Sequence, residues 1–341
     1  MLSPSLKTSV GLCLLCAMAT IPSCFAASCT TQAQMTAVQR DSLVNAAKEM
    51  LAEMQSGNVQ TLQANTLPAV AADFSGIATS VQNLKPLIQN ATLTVNNLYL
   101  LDASTQTGSA PIEFFCGQPV VSVNFSDLPA GEYALAIGRA TGVAQPQQIA
   151  IILAKSTQGK WMLGGLFIKP MIFEGHDGIW YWASARKYAQ QNGNWGAWLY
   201  YRIAGNLLNP LDILSSPNLE KLQHESEKIK PSNLPGTTPA SLAAQGANYS
   251  LTAVDTTTTF GALDLDVHYT PDQTQASQLH NPPMARKQVM DIMAALLAQH
   301  PELRQAFHGM WVHADQGSVS LFALELPMDG IASASAQPIA R

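Results

Sequence analysis

The sequence predicts an α+β fold: helices packed on a curved antiparallel sheet, an aromatic helical hairpin, and a smaller C-terminal α+β unit. Three observations carry that expectation. Two stretches before residue 90 repeat their apolar residues at helical spacing. A series of short β-rich runs, separated by Gly, Pro, Asp and Ser, follows as far as residue 170. Residues 178–210 then hold four of the six tryptophans and four of the eight tyrosines, arranged around a polar Asn192-Gly193-Asn194 turn.

The elements follow in order. In the first helix Leu43, Ala47, Met50, Leu51 and Met54 share one stripe, with Lys48, Glu49 and Glu53 outside it, and Gly57 ends it. The second begins at Pro68 and places Val70, Phe74, Ile77, Val81 and Leu84 at steps of four and three until Pro86 interrupts it. Strands are expected over 92–101, 120–125, 133–139, 149–155 and 161–168, the last two joined as a hairpin. After the 178–210 hairpin comes helix over 207–222 and a charged run to Lys230, and 234–248 reads as linker from its Pro, Gly, Thr and Ala content. Beyond it, 261–269 alternates strictly: Leu263, Leu265, Val267 and Tyr269 on one face, Asp264, Asp266 and His268 on the other. A helix follows Asn281 and two prolines, and two strands meet at Asp315-Gln316-Gly317.

Two helices followed by a meandering sheet, closing on GKWMLGGLFIKP, resemble the nuclear transport factor two-like fold over about residues 34–170. The resemblance implies a cone whose interior holds a ligand, holds acid and base groups, or is packed. Tyr181, Ser184, Ala185, Tyr188, Ala197, Tyr201 and Ala204 are similar in spacing to a single tetratricopeptide unit, with Ser184 and Ala185 departing from that pattern. The resulting boundaries are an export signal at 1–27, the nuclear transport factor two-like domain at 30–174, the hairpin and following helix at 175–230, a linker at 231–248, a small α+β unit at 249–328, and a flexible tail at 329–341. A lone repeat unit must pack on something else, and the hairpin is expected to dock on the first domain, leaving the part after the linker separable.

Hydrophobic residues make up 47% of the chain and charged residues 12%, which excludes wholesale disorder; the net charge of -5 offers no basic face, so nucleic acid is not an expected partner. Lys7, an apolar run over 10–21 and small residues at Ala26 and Ala27 read as an export signal. The protein is therefore expected in the periplasm or secreted. The alternative is a lipoprotein anchored through Cys24, the one route that would tie it to a membrane. Cys13 and Cys16 lie within the signal, which leaves Cys29 and Cys116 as a disulfide pair in an oxidising compartment.

No nucleophile elbow, phosphate-cradling glycine loop or His-Glu-x-x-His run occurs, so no catalytic residue, cofactor or metal is assigned. Asp73 is the one carboxylate bordering an apolar helix stripe; flanking the helix is preferred to a role as buried base. Asp264, Asp266 and His268 would meet His313 and Asp315 if their strands were neighbours, but a solvated strand face explains the alternation. The expected function is a non-catalytic binding or interaction module, with Trp180, Trp182, Trp195, Trp198 and Tyr201 as candidate contacts for a protein or a small apolar ligand. The alternatives are an enzyme acting on a small apolar molecule within the cone, and a structural scaffold. The sequence leaves the oligomeric state open.

Overall fold

The computed structural model describes residues 27–106 and 111–331. The export signal read over 1–27, with Cys13, Cys16 and Cys24, lies outside the described residues except for Ala27. The fold is α+β, as expected.

The first sheet has strand order β1-β2-β5-β6-β7, all antiparallel, built from β1 (Ser28–Thr31), β2 (Thr92–Asp102), β5 (Glu132–Thr141), β6 (Gln147–Lys155) and β7 (Trp161–Pro170). Register shifts at Val95/Asn97 and at Ile152/Leu153 bend it. Its strands alternate apolar residues to both faces, because both faces are covered. On one side lie α1 (Ala37–Ser56), α2 (Val59–Ala64), α3 (Pro68–Ala71) and α4 (Ser75–Ile88). Leu43, Ala47, Met50, Leu51 and Met54 pack there with Val81, Leu84 and Ile88 against Ala134, Ala136, Ile149, Ile151 and Leu153. Thr36 caps α1 with a capping box, and Gly57 ends it at φ 72°, a left-handed position that a Cβ would strain. Pro86 does not interrupt α4: the helix runs two residues past it, where one missing N–H near the end costs little.

The other face of the sheet meets β3 (Ile112–Cys116) and β4 (Val121–Phe125), which form a small sheet with the two-residue β10 (Leu214–Ser215). Phe114, Cys116, Val123 and Leu214 pack there on Leu135, Ile137, Ala150 and Ile152. Cys29 and Cys116 are disulfide-bonded, with Cα atoms 5.1 Å apart, and so tie β1 to β3.

A short bridge of β8 (Ile172–Phe173) and β9 (His176–Asp177) leads into the aromatic hairpin, α5 (Gly178–Gln190) and α6 (Asn194–Leu208), followed by α7 (Pro217–Ile229). The second five-stranded sheet contains β11 (Ala240–Ala244), β12 (Ala247–Thr257), β13 (Asp264–Thr270), β14 (Gly309–Gln316) and β15 (Val319–Pro327), in that spatial order. Only β13 and β14 run parallel; α8 (Gln273–Gln278), α9 (Pro282–Gln299) and α10 (Leu303–Ala306) make the crossover between them. Strand β11 occupies part of the stretch 231–248 read as linker. Small, alternating residues of that kind also suit an edge strand.

The hairpin does not use the first domain as its main support. Tyr181, Ala185, Trp195, Leu199, Tyr200 and Ile203 belong to one core with Leu251, Val267 and Tyr269 of the second sheet and Val289, Ile292, Met293 and Leu296 of α9. The reason is extent: α6 is buried at nine of its positions, and the second sheet with α9 supplies an apolar surface broad enough to cover them. The hairpin still touches the first sheet at its C-terminal end, where Gln148 Nε2 donates to the Leu207 carbonyl at 2.8 Å, and just beyond the hairpin Lys169 pairs with Asp212 at 2.7 Å. Of the tail read over 329–341, Asp329 and Gly330 lie in a 3-10 turn over Met328–Gly330 and Ile331 is buried; the residues beyond it are outside the described set.

Candidate functional site

The candidate contact residues of the hairpin separate by environment. Asp177 caps α5 by accepting from the Trp180 N–H at 2.8 Å, and Asn192, at φ 62°, turns the chain into α6. Trp195 is core: it is 3% exposed, its ring stacks on His300 at 4.3 Å, and its Nε1 donates to Asn233 Oδ1 at 3.0 Å. Tyr201 is also core, at 3% exposure. Trp198 is half-buried, with the Arg202 guanidinium 4.9 Å from its ring. Trp180 is exposed and stacks on His176 at 3.7 Å. The five therefore do not form one contact surface.

Trp182 and Tyr201 are held by a residue that the sequence reading passed over. Glu225 of α7 accepts from Arg186 at 2.7 and 2.8 Å, from Trp182 Nε1 at 2.8 Å and from the Tyr201 hydroxyl at 3.2 Å. The Arg186 hydrogen bond is the main reason its carboxyl is held at about 2, against an opposing push from burial. Burial, then the Glu225 charge, pushes the Tyr201 phenol up to about 12. Glu225 lies three residues after Leu222 and so on the inner side of α7; that spacing was available in the charged run where it sits.

This clamp fixes Trp182 in the wall of a groove of about 350 Å³ between the first sheet, the small sheet, the hairpin and the segment after it. Its apolar lining comes from Tyr99, Val121, Ile137, Ile179, Trp182, Leu208, Leu214 and Leu219, and its polar groups include Asn97, Gln148 and Arg139. Burial pushes the Tyr99 phenol above its ordinary value. Arg139 sits near the end of β5, opposite Gln148, where the alternation turns its side chain to the groove face. It is exposed, and among the described residues no ion pair or side-chain hydrogen bond engages its guanidinium. Such a site offers an apolar bed with one unneutralised cation.

The other candidates fall elsewhere. Asp73 is exposed just before α4 and accepts from the Ser75 hydroxyl at 3.2 Å, so it flanks the helix and does not face the packed side of the sheet. Strands β13 and β14 are neighbours, and they bring Asp266, His268, His313 and Asp315 together on the face of the second sheet opposite its core. Comparison of the chain with protein-family models, with curated proteins and with solved structures finds no match.

Proposed function

We propose that the chain is a non-catalytic binding module of an oxidising compartment outside the cytoplasm, and that the groove beside Trp182 holds a small molecule with an apolar body and an anionic end. The observation that carries this reading is Arg139, a guanidinium at an apolar groove that no ion pair or side-chain hydrogen bond engages among the described residues. The groove volume is at the lower end of the roughly 300–1,000 Å³ common for small-molecule sites. The Cys29–Cys116 disulfide supports the compartment. Among the described residues no helix is long and apolar enough to cross a membrane. The nuclear transport factor two-like reading of residues 34–170 is part of the same proposal, supported by helices preceding and packing on a curved meander; there the helix-facing side is filled, and the ligand site lies on the opposite face.

Titration calorimetry with octanoate, octanol and octylamine tests the reading, because the three share a tail and differ in the head. Octanoate should bind one per chain and at least about tenfold more tightly than octanol, the equivalent of about 1.4 kcal/mol. Arg139→Gln should erase that preference while leaving the fold intact, since the side chain is exposed. Equal binding of all three, or none, would remove the anionic-ligand reading.

A further inference from the structure

The second sheet carries a separate group of side chains, independent of the groove. The parallel register sets His268 of β13 beside His313 of β14, and Asp266 lies two residues before His268 on the same face. His268 Nε2 is 3.4 Å and His313 Nε2 is 3.2 Å from the same atom, Asp266 Oδ1. On the far side of His268, Nδ1 is 2.6 Å from Asp315 Oδ2.

One ligand atom from each of Asp266, His268 and His313 lies within 4.8 Å of the others. The contact of Asp315 with Nδ1 fixes the orientation of the His268 ring and leaves Nε2 on the side of Asp266. His313 is 8% exposed, and among the described residues neither its Nε2 nor Asp266 Oδ1, both buried, has a hydrogen-bond partner of good geometry. Buried polar atoms call for something that satisfies them, and a cation held beside Asp266 Oδ1 takes both imidazole Nε2 atoms and the carboxylate at once.

We propose that Asp266, His268 and His313 bind one divalent transition-metal ion of the zinc class, with Asp315 as the positioning residue that orients His268. Two imidazoles and one carboxylate suit such ions better than magnesium or calcium, which prefer oxygen alone. A tetrahedral ion with bonds of about 2.0–2.1 Å separates its ligand atoms by about 3.3–3.4 Å, and both spacings to Asp266 Oδ1 are close to that edge. The two imidazole rings lie stacked, 4.5 Å between centroids and 10° between planes, so binding turns one of them about its Cβ–Cγ bond to aim both lone pairs at the ion. Three protein ligands leave a fourth position for water or for a ligand atom from outside.

The test uses the purified chain without a histidine tag, treated with chelator and titrated with zinc chloride by calorimetry and by NMR of the histidine ring protons. One ion per chain should bind at micromolar concentration, and the ring signals of His268 and His313 should shift together and saturate at the same ratio. Asp266→Asn should weaken binding by at least about tenfold, and Asp315→Asn, which alters the contact that orients His268, by roughly tenfold. His308→Ala removes a largely exposed imidazole from the neighbouring Asp264–Glu325 group and should leave the affinity unchanged. Should Asp266→Asn fail to fold, the titration of the unaltered chain still decides. Absence of zinc uptake below about 100 µM, ring signals that do not move, or uptake lost in His308→Ala and retained in Asp266→Asn would each overturn the assignment.

Discussion

The indole of Trp195 lies on the imidazole of His300, 4.3 Å between ring centroids and 22° between planes, joining the aromatic hairpin to the end of α9. The same joint is reinforced by the Tyr200 hydroxyl, which donates to the Ala306 carbonyl at 2.7 Å. Hairpin and second sheet are therefore expected to melt together. A chain truncated after Lys230 should expose the apolar side of α6 and aggregate, and Trp195→Ala in the full chain should cost about 3–5 kcal/mol. Differential scanning calorimetry with tryptophan fluorescence reads both; a truncated chain that stays monomeric and folded would show that the shared core is dispensable.

Burial pushes the His300 imidazole down to about 4, and among the described residues its Nε2 has no hydrogen-bond partner. In the unfolded chain the group titrates near its ordinary value of about 6.5. Between those values the unfolded chain binds more protons, so stability rises with pH across the window from about 4 to 6.5 and is lost on acidification. Glu302, 4.0 Å away, is the carboxylate facing the ring. Denaturant unfolding at a series of pH values should show this slope, and His300→Phe, which keeps a stacked ring without a titrating nitrogen, should flatten it. An unchanged slope in that variant would assign the acid sensitivity elsewhere.

What the sequence made legible is what depends on local spacing. The α1 stripe, the alternation of β13 and the Asn281 start of α9 all appear where periodicity and capping residues place them. What depends on distant pairing was not legible. The strand Ile112–Cys116 is five residues long and takes its place only by pairing with β4, and Glu225 gains its role from partners 24 to 43 residues away. Arg139 is one exposed residue in a strand; only the groove around it makes it a candidate. The nearest apolar surface to the hairpin in sequence belongs to the first sheet, whereas burial favours the larger one further along the chain. His268 and His313 had chemical promise in the sequence, but their adjacency rests on a parallel pairing made by a helical crossover, which no short-range pattern specifies.

Glu225 organises α5, α6 and α7 through four hydrogen bonds, so Glu225→Gln should be costly in a particular way. The amide keeps one acceptor and loses the charge that Arg186 pairs with; partial exposure of Arg186 limits the loss to about 1–3 kcal/mol. The folded carboxyl titrates at about 2, below its ordinary range, so its stabilisation is present above about pH 4.5 and is lost as pH falls from there toward 2. A double-mutant cycle with Arg186→Met isolates the pair. A coupling energy near zero would mean that Glu225 acts through Trp182 and Tyr201 and not through Arg186.

The Cys29–Cys116 bond spans 87 residues and links two layers of the first domain, since β1 lies on the edge of the five-stranded sheet while β3 belongs to the small sheet on its opposite face. Cys116 is 1% exposed among Phe114, Leu101 and Val123, whereas Cys29 at the edge strand is half-buried. Closing a loop of that length restricts the unfolded chain, and replacing both cysteines by alanine should cost about 2–5 kcal/mol. The loss should fall on the layer that lines the groove, because Val121 of β4 is part of the groove wall and β3 is its partner strand. Hydrogen exchange should therefore accelerate in β3 and β4 of the double-alanine variant while α1 and α4, which pack on the other face, keep their protection. Two freely alkylated thiols in protein taken from an oxidising compartment would refute the bridge. Equal acceleration on both faces of the sheet would instead show that the disulfide stabilises the domain as a whole and does not act through the groove wall.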